Sequence, residues 1–335
     1  MLRLALDGLI LTPALSWITW IGACFGFATA LGLLSGAAPW RRWLSAGLAV
    51  LALATPFAIH QGPVLRAAVA LELLWVCVKL IGLARDRTTR PPGFRVLQLL
   101  VLHDLRQDGA LRQRSGDRGD GAGRLVRPGS RPLLLLLLVA CLWGAVAAPA
   151  LWLALFLAPT LSAPSDWLLR CAAGLVFAYA GVEGALGLFE LVYRACGLRP
   201  PVLHRHPILA TSIAEFWGRR WNRIVGSWLF ATFYQPLAVR GRPLWGLAAA
   251  FAGSAMLHLY FTWAALGLGP ALYMATFFLA QLPLLWLEQR LRQSRWPKLA
   301  RRLWTLAWLA LVSPLFVEPM LDILAGGFDL TGKLG

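Results

Sequence analysis

Residues 133–157 read LLLLLLVACLWGAVAAPALWLALFL, twenty-five residues without one charged side chain. A run of this length covers the hydrocarbon core of a bilayer, which takes roughly 20 apolar residues per helix. It lacks the alternation of apolar and polar residues that a barrel strand requires. The run is therefore predicted to be a transmembrane helix, and it sets the class of the whole chain.

Similar apolar runs recur along the chain and predict eight spans. Hydrophobic residues make up 59% of the 335 and charged residues 14%, whereas soluble domains carry about 25% charged residues. We therefore predict an all-α polytopic transmembrane bundle forming one membrane-embedded domain, 1–335, with N-terminal spans (1–84), a basic loop (85–131) and C-terminal spans (132–324). The eight spans are predicted near residues 12–34, 43–60, 64–84, 133–157, 167–193, 243–266, 268–288 and 303–324.

The basic residues, which give a net charge of +17, are concentrated in every second loop. The stretch 85–131 alone carries eleven arginines, whereas the stretches near 61–63, 158–166 and 267–269 carry no Lys or Arg. This is the positive-inside pattern and not a nucleic-acid surface. The basic loops are predicted to face the cytoplasm, so that both termini face outward, and a bacterial inner membrane fits the composition.

Three further groups of residues supply no candidates for a functional site. The stretch 107–131 is rich in Gly, Arg and Asp and is predicted to be disordered. None of the five cysteines has metal-ligand spacing, so no metal site is predicted. The histidines at span ends or in loops are expected to be solvated; they are His60, His103, His204 and His206.

The informative region is 203–262, which begins with a segment too polar to span easily. Ser212 and Glu215 have the spacing of a capping box, which predicts a helix start after Pro207. From there to Tyr234 aromatic residues are mixed with arginines, as in a helix that lies in the cytoplasmic interface or a re-entrant helix that dips partly into the membrane. On one continuous helix, the spacing of four, three and four places four residues on a common face: Glu215, Arg219, Asn222 and Gly226. Glu215 can then pair with Arg219, one turn further on.

The sixth predicted span contains a histidine deep in an apolar run. His258 has Ser254 one turn before it and Thr262 one turn after it, on the same helix face. Ionisable residues inside spans are costly and usually mark function. The structural alternative is a histidine that is hydrogen-bonded between helices.

The two halves of this region together resemble a known family. Residues 215–222 read EFWGRRWN, and GSAMLH follows in a span at 253–258. This combination resembles the wax synthase branch of the membrane-bound O-acyltransferase superfamily, and the similarity covers roughly 200–290. It implies an enzyme that transfers an acyl group from acyl-CoA to a hydroxyl inside a helical bundle, with a lipophilic alcohol as the first expected acceptor and no permanently bound cofactor.

The resemblance also implies roles for individual residues. His258 matches the family's histidine, and Asn222 matches its asparagine. As general base, His258 would take the hydroxyl proton, and Asn222 would be its polar partner at the acyl carbonyl. The aromatic positions of the motif fall on Phe216, Trp217 and Trp221.

Further substrate-binding candidates lie beside these residues. Three arginines carry guanidinium groups suited to the phosphates of coenzyme A, although lipid headgroups are an alternative partner. The candidates are Arg219, Arg220, Arg223, Glu215 and Ser254.

Two other classes of function remain open at this point. A transporter could use intramembrane ionisable residues as a polar pathway, although no internal repeat supports it. A non-catalytic scaffold would tolerate loss of His258. Within the acyltransferase class, the acceptor could instead be a sugar, a sterol or a secondary metabolite. The pathway residues would be Glu72, Lys79, Glu183 and His258. Structural or cavity-lining roles are the expectation for Glu72, Lys79, Glu183 and Glu190.

Overall fold

A computed structural model describes residues 2–36, 38–85, 91–100, 132–195, 202–291 and 293–328. Within these ranges every regular element is helical, which confirms the predicted all-α bundle. The stretch 107–131, for which disorder was predicted, lies outside the described residues. The chain divides into two compact units, 1–118 with 260–267 and 119–259 with 268–335, and the expectation of a single domain stays a prediction.

The first unit contains two long helices and two short ones. The last turns of the helix at 243–266 also belong to this unit, where the Tyr260 hydroxyl donates to the carbonyl of Leu53 at 2.9 Å. Buried apolar side chains from all four helices form its core, among them Ala28, Ala49, Leu80 and Leu99. The helices are α1 (Leu2–Leu34), α2 (Pro39–Ala52), α3 (Pro63–Arg85) and α4 (Pro92–Leu100), with a 3₁₀ turn at Thr55–Ala58.

The second unit holds the region that the sequence singles out. Its long helices pack through buried apolar residues such as Ala154, Ala173 and Val317. The helices are α5 (Leu133–Trp152), α6 (Ser165–Ala195), α7 (Ile213–Glu215), α8 (Arg223–Leu229), α9 (Gln235–Ala238), α10 (Pro243–Leu266), α11 (Leu268–Leu279), α12 (Gln281–Arg290), α13 (Lys298–Val312) and α14 (Pro314–Ala325). Three π-helical turns, Leu153–Leu157, Phe216–Arg220 and Phe230–Tyr234, and short 3₁₀ turns at Ala158–Thr160, Pro207–Leu209, Gln293–Arg295 and Gly326–Phe328 complete the described elements.

Six helices of the described chain are long and apolar enough to cross a bilayer, or seven if a bent pair counts as one span. They are Trp17–Leu34, Pro63–Arg85, Leu133–Thr160, Ser165–Ala195, Pro243–Leu266 and Leu268–Arg290, and the bent pair is α13 with α14. Six of the eight predicted spans therefore correspond to helices of spanning length. The eighth, 303–324, is bent by 51° between α13 and α14, because Pro314 cannot continue the hydrogen-bonding of the first helix.

The second predicted span, 43–60, was wrong as a single transmembrane helix. Its helix α2 has 14 residues, which corresponds to about 21 Å, whereas the hydrocarbon core measures about 30 Å. Helix α2 ends at Ala52, and Pro56 then lies in a separate 3₁₀ turn. The outward orientation of both termini was inferred together with an even number of spans, and it stays a prediction.

Two glycines let the chain before α10 approach the face of that helix. A Cβ atom at Gly246 would lie 2.7 Å from the carbonyl oxygen of Tyr234, and one at Gly253 would lie 2.8 Å from the ring of Phe233. At Gly246 the close atom belongs to the backbone, so only a residue without a side chain permits the approach. The π-helical turn at 230–234 is thus held directly against the span that carries His258.

Candidate active site

His258 lies in α10 with one ring nitrogen held by its own helix. Its Nδ1 lies 2.8 Å from the carbonyl oxygen of Ser254, one turn earlier. Because a carbonyl oxygen can only accept a hydrogen bond, Nδ1 carries the hydrogen. In the neutral ring the lone pair is then on Nε2, the state that a general base needs. The side chain is only partly buried.

Aromatic side chains from two other helices lie beside the ring of this histidine. The ring of Phe278 in α11 lies 3.9 Å from the His258 ring, centroid to centroid, with 32° between the planes. The ring of Phe316 in α14 lies 6.5 Å away. Phe278 also contacts Trp217 of the motif, at 5.7 Å between centroids. Phe278 thus links His258 to the motif segment, which we define as residues 211–223.

The start of the motif segment is capped as predicted, with one change. The Ser212 side chain accepts a hydrogen bond from the amide of Glu215 at 3.0 Å, as in a capping box. The Glu215 carboxylate, however, accepts from the amide of Thr211 at 2.8 Å and from its hydroxyl at 2.6 Å. The reciprocal bond of the box is therefore made one residue earlier than the motif predicts.

The predicted pairing of Glu215 with Arg219 was wrong, because the helix widens after Glu215. Residues Phe216–Arg220 form a π-helical turn, closed by a bond of 2.8 Å from the amide of Trp221 to the carbonyl of Phe216. A π turn brings together residues five apart rather than four. Glu215 therefore pairs with Arg220, whose Nε lies 2.7 Å from its Oε1, and Arg219 is exposed.

Glu215 is an ionised carboxylate in this arrangement. Burial acts to raise its pKa, but hydrogen bonds from Thr211 and the bonds and charge of Arg220 outweigh it and lower the pKa from 4.5 to about 2. The side chain of Glu215 is 24% exposed and that of Arg220 is 23% exposed. Arg301 extends this polar cluster through a bond of 3.1 Å to the Thr211 hydroxyl.

Asn222 interrupts the continuous helix that the sequence predicted. Its φ of 33° and ψ of 63° are left-handed, and it is the N-cap residue of α8. Its Oδ1 accepts from the amide of Val225 at 3.4 Å, the contact by which an asparagine begins a helix. The common helix face predicted for Glu215, Arg219, Asn222 and Gly226 was therefore wrong, because one helical turn ends at Arg220 and the next helix begins at Arg223.

The other predicted substrate-binding residues divide between packed and accessible positions. Phe216 and Trp221 stack on each other at 5.5 Å with 15° between their planes. Arg223 donates to the carbonyl of Val202 at 3.2 Å. The Ser254 side chain is buried, at 7% exposure, and its carbonyl oxygen serves His258. Arg219 is the predicted cation left at the surface.

Two buried polar residues of α12 escaped the sequence analysis although they hold the motif segment. The Gln281 side chain, which is fully buried, accepts from Trp217 Nε1 at 3.1 Å. The Glu288 carboxylate, which is 7% exposed, accepts from the amide of Ile213 at 3.0 and 3.1 Å. The two are seven residues apart inside a predicted span, a spacing that places them on one helix face and could have indicated a shared role.

His204 was expected to be solvated, and this expectation was wrong. Its side chain is 6% exposed, and its Nδ1 lies 2.9 Å from Oε1 of Glu183 in α6. Its ring lies 4.4 Å from that of Trp221. A buried polar side chain is normally hydrogen-bonded, and Glu183 supplies the partner that the local sequence lacks.

Two of the remaining intramembrane charges, Lys79 and Glu190, have structural partners. Lys79 is buried and lies over the ring of Trp75 at 5.1 Å. Glu190 pairs with Arg194 one turn on at 2.5 Å. An ion cluster that was not predicted joins α6 to α14, where Arg170 contacts two carboxylates at 2.6 Å each, those of Glu318 and Asp322.

The region with this geometry is also the region that known proteins share. Residues 200–280 match the model of the membrane bound O-acyl transferase family. The match includes the motif segment, His258 and Phe278. It confirms the resemblance drawn from EFWGRRWN and the intramembrane histidine.

Three plant proteins are similar over part of the chain. A long-chain-alcohol O-fatty-acyltransferase of Simmondsia chinensis is 35% identical over 92 residues, covering 25% of this chain and 26% of the relative. A probable long-chain-alcohol O-fatty-acyltransferase 7 of Arabidopsis thaliana is 41% identical over 66 residues, covering 18% and 19%. A probable long-chain-alcohol O-fatty-acyltransferase 2 of the same plant is 32% identical over 125 residues, covering 35% and 36%. The chain thus matches between about a fifth and just over a third of the length of these relatives.

Proposed function

We propose that this protein is a multi-pass membrane O-acyltransferase that moves an acyl group from acyl-CoA to the hydroxyl of a lipophilic alcohol. The observation that carries the proposal is His258, a histidine inside a span with Nδ1 held by the carbonyl of Ser254. It lies in the part of the chain that is similar to the long-chain-alcohol O-fatty-acyltransferases.

The reaction would proceed through the second ring nitrogen of His258. An alcohol becomes an effective nucleophile when its proton is taken as the new O–C bond forms. Nε2 would take that proton while the hydroxyl oxygen attacks the thioester carbonyl. The tetrahedral intermediate would then collapse, breaking the C–S bond, and the proton on Nε2 would pass to the departing coenzyme A sulfur. The products are an ester and free coenzyme A, and His258 returns to its neutral state.

Asn222 is proposed as the polar partner in this reaction. Its side-chain oxygen is engaged by the amide of Val225, so the amide nitrogen is the end that would donate to the developing oxyanion. The left-handed backbone of Asn222 supports this role, because strained residues concentrate at functional sites. Such a donor stabilises the transition state and would affect the rate more than substrate binding.

The surroundings of His258 favour a lipophilic acceptor. The ring of His258 has ring contacts with the phenyl groups of Phe278 and Phe316, which favour hydrocarbon and offer no hydrogen bond to a sugar. Among the predicted phosphate-binding arginines, exposed Arg219 is the best candidate for coenzyme A, because Arg220 is engaged with Glu215. We also propose a cytoplasmic position for the motif segment and a bacterial inner membrane, supported by the loop charges.

The test is acyl transfer by the purified protein in detergent or nanodiscs. Labelled acetyl-CoA and palmitoyl-CoA are supplied with a panel of fatty alcohols, sterols and sugars. His258→Asn keeps a donor for the Ser254 carbonyl but removes the base, so we expect a loss of about 10²–10⁴-fold in kcat. Asn222→Ala should also lower kcat, by about 10²-fold.

Met256→Leu is the matched control, since Met256 lies in the same helix with 71% exposure. It should retain wild-type kcat. Ester formation that survives His258→Asn within twofold would refute the mechanism. A sugar ester as the main product would refute the proposed acceptor class but not the acyl transfer.

A further inference from the structure

Residues 202–206, which we call the bracing strand, run antiparallel to the end of the motif segment. The amide of Arg205 donates to the carbonyl of Arg220, and the amide of Arg223 donates to the carbonyl of Leu203, both at 2.9 Å. These two bonds enclose His204 on one side and residues 221–222 on the other. The position of the bracing strand therefore decides where the backbone of Asn222 lies.

Two arginine side chains strengthen this pairing. The guanidinium group of Arg220 donates to the carbonyls of Arg205 and His206, at 2.9 and 3.2 Å. That of Arg223 donates to the carbonyl of Val202 at 3.2 Å. All three bonds end on backbone oxygens of the bracing strand, so they attach the two segments to each other.

The side chain of His204 attaches this pair of segments to a membrane span. Its Nδ1 donates to Oε1 of Glu183, the acceptor in α6, across 2.9 Å. Its ring is tilted by 33° against that of Trp221, with 4.4 Å between centroids. The side chains of His204 and Glu183 are 6% and 20% exposed, so water competes little with their hydrogen bond.

Asn222 adopts a left-handed backbone, which asparagine tolerates better than most residues other than glycine. The conformation is one of several open to an asparagine, so contacts with the surroundings decide that this one persists. The two backbone bonds on either side of Asn222 impose it here. His204 and Glu183 fix those bonds relative to α6.

We infer that His204 and Glu183 are positioning residues for Asn222. They contact neither substrate nor reacting atoms; they hold the backbone that aims the Asn222 amide. The inference rests on the proposed function in so far as Asn222 acts in the reaction. The structural part, that the pair maintains the backbone bonds around Asn222, stands independently of any activity.

The variants separate the two contacts of His204. His204→Phe keeps a ring against Trp221 and removes the hydrogen bond, whereas His204→Asn keeps an amide donor near the Nδ1 position and removes the ring. Glu183→Gln retains a side-chain oxygen as acceptor, and Glu183→Leu does not. His206→Asn is the matched control, because His206 is exposed and Asn tolerates its left-handed backbone, with φ of 48°.

The first readout is amide hydrogen exchange in peptides that contain Arg205 and Arg223. We expect exchange at least about tenfold faster in His204→Phe and Glu183→Leu than in wild type, because opening of the segment becomes easier. Glu183→Gln and His206→Asn should stay within about threefold of wild type. Unchanged exchange in His204→Phe and Glu183→Leu would overturn the inference. If one of these two variants fails to fold, the exchange rate measured in the other variant decides the inference.

The second readout is steady-state kinetics combined with Asn222→Ala. Because a small misplacement of a catalytic group costs about 10²-fold, His204→Phe should lower kcat 10- to 100-fold and change the KM for acyl-CoA by less than about threefold. When His204→Phe is combined with Asn222→Ala, kcat should fall no further than in Asn222→Ala alone, because both changes remove the same contribution of Asn222. Losses that multiply would overturn the inference. Full activity of Asn222→Ala would instead refute the proposed role of Asn222, and hydrogen exchange would still decide the structural part.

Discussion

The surroundings of His258 and the motif segment 211–223 are neighbouring regions built on opposite principles. His258 lies in a regular helix, uses a carbonyl of its own helix, and is surrounded by phenyl rings. The motif segment combines a three-residue helix, a π turn and a left-handed residue. It is held by polar side chains from distant positions, such as Gln281 and Glu288.

The difference shows how this membrane protein maintains an irregular segment beside a rigid helix. A regular helix satisfies its own backbone groups, so the backbone around His258 is paired within α10. An irregular segment leaves amides and carbonyls unpaired, and each must find a partner elsewhere. We therefore expect substitutions of polar partners to destabilise the motif segment more than substitutions at its exposed positions.

The largest effect is expected at Glu288. Glu288→Ala leaves the buried amide of Ile213 without its acceptor, which should lower the free energy of unfolding by about 2–3 kcal/mol. Glu288→Gln retains one acceptor oxygen and should lose less. Unfolding in detergent by heat and by SDS measures both. Gln289→Ala, at an exposed position of the same helix, should change the free energy of unfolding by less than about 0.5 kcal/mol. Equal losses in Glu288→Ala and Gln289→Ala would show that the buried polar partner matters no more than an exposed residue.

A smaller effect is expected from exchanging arginine for lysine at two adjacent positions. Arg220 contacts Glu215 and two backbone carbonyls at once, and a lysine cannot reproduce this fork. Arg220→Lys should lower the free energy of unfolding by about 1–2 kcal/mol. Arg219→Lys, at the exposed neighbour, should stay within about 0.5 kcal/mol. The opposite ranking in thermal unfolding would favour the i, i+4 pairing that the sequence suggested over the π turn.

The third expected effect is a pH dependence. Glu215 has a pKa lowered from 4.5 to about 2 in the folded protein, so the folded state binds this proton less readily than the unfolded state. Its stabilisation is complete above the unfolded pKa and is lost as the pH falls toward the folded pKa. Glu215→Gln should therefore melt below wild type at pH 7, and the difference in Tm should narrow from pH 4.5 to pH 2.

The comparison of Tm values needs constant ionic strength, since salt also weakens charge pairs. A difference between wild type and Glu215→Gln that stays constant from pH 6 to pH 2.5 would show that the Glu215 carboxylate is not the stabilising form. In that case the motif segment would not differ from the surroundings of His258 by ionic stabilisation.

The region around His258 could be predicted well because its signals are local in sequence. The span 243–266 was predicted with the bounds of α10, and Ser254 was placed on the face of His258, where its carbonyl binds the ring. What was missed is Phe278, which lies twenty positions further on in the next span. No periodicity in α10 indicates which residue of another helix will stack on its histidine.

The motif segment could be predicted only in outline. Its cap at Ser212 is local and was predicted, whereas the pairing of Glu215 depends on whether the turn has an α or a π geometry. Gln281 and Glu288 reach the motif segment from more than sixty positions away in the chain. His204 was expected to be solvated because nothing close to it in the sequence indicates its partner, Glu183, which lies in the preceding span.

The sequence by itself determined the class and most of the spans of this protein, and it indicated the residues that we propose carry its chemistry. Apolar run length, loop charge and the pattern EFWGRRWN with a spaced histidine are properties of single segments, and a bilayer acts on each segment separately. Only the tertiary structure decided which arginine pairs with Glu215, how Asn222 is turned and which buried groups hold it. Those outcomes depend on unpaired backbone groups finding partners across helices, and such partners are set by packing and not by spacing along the chain.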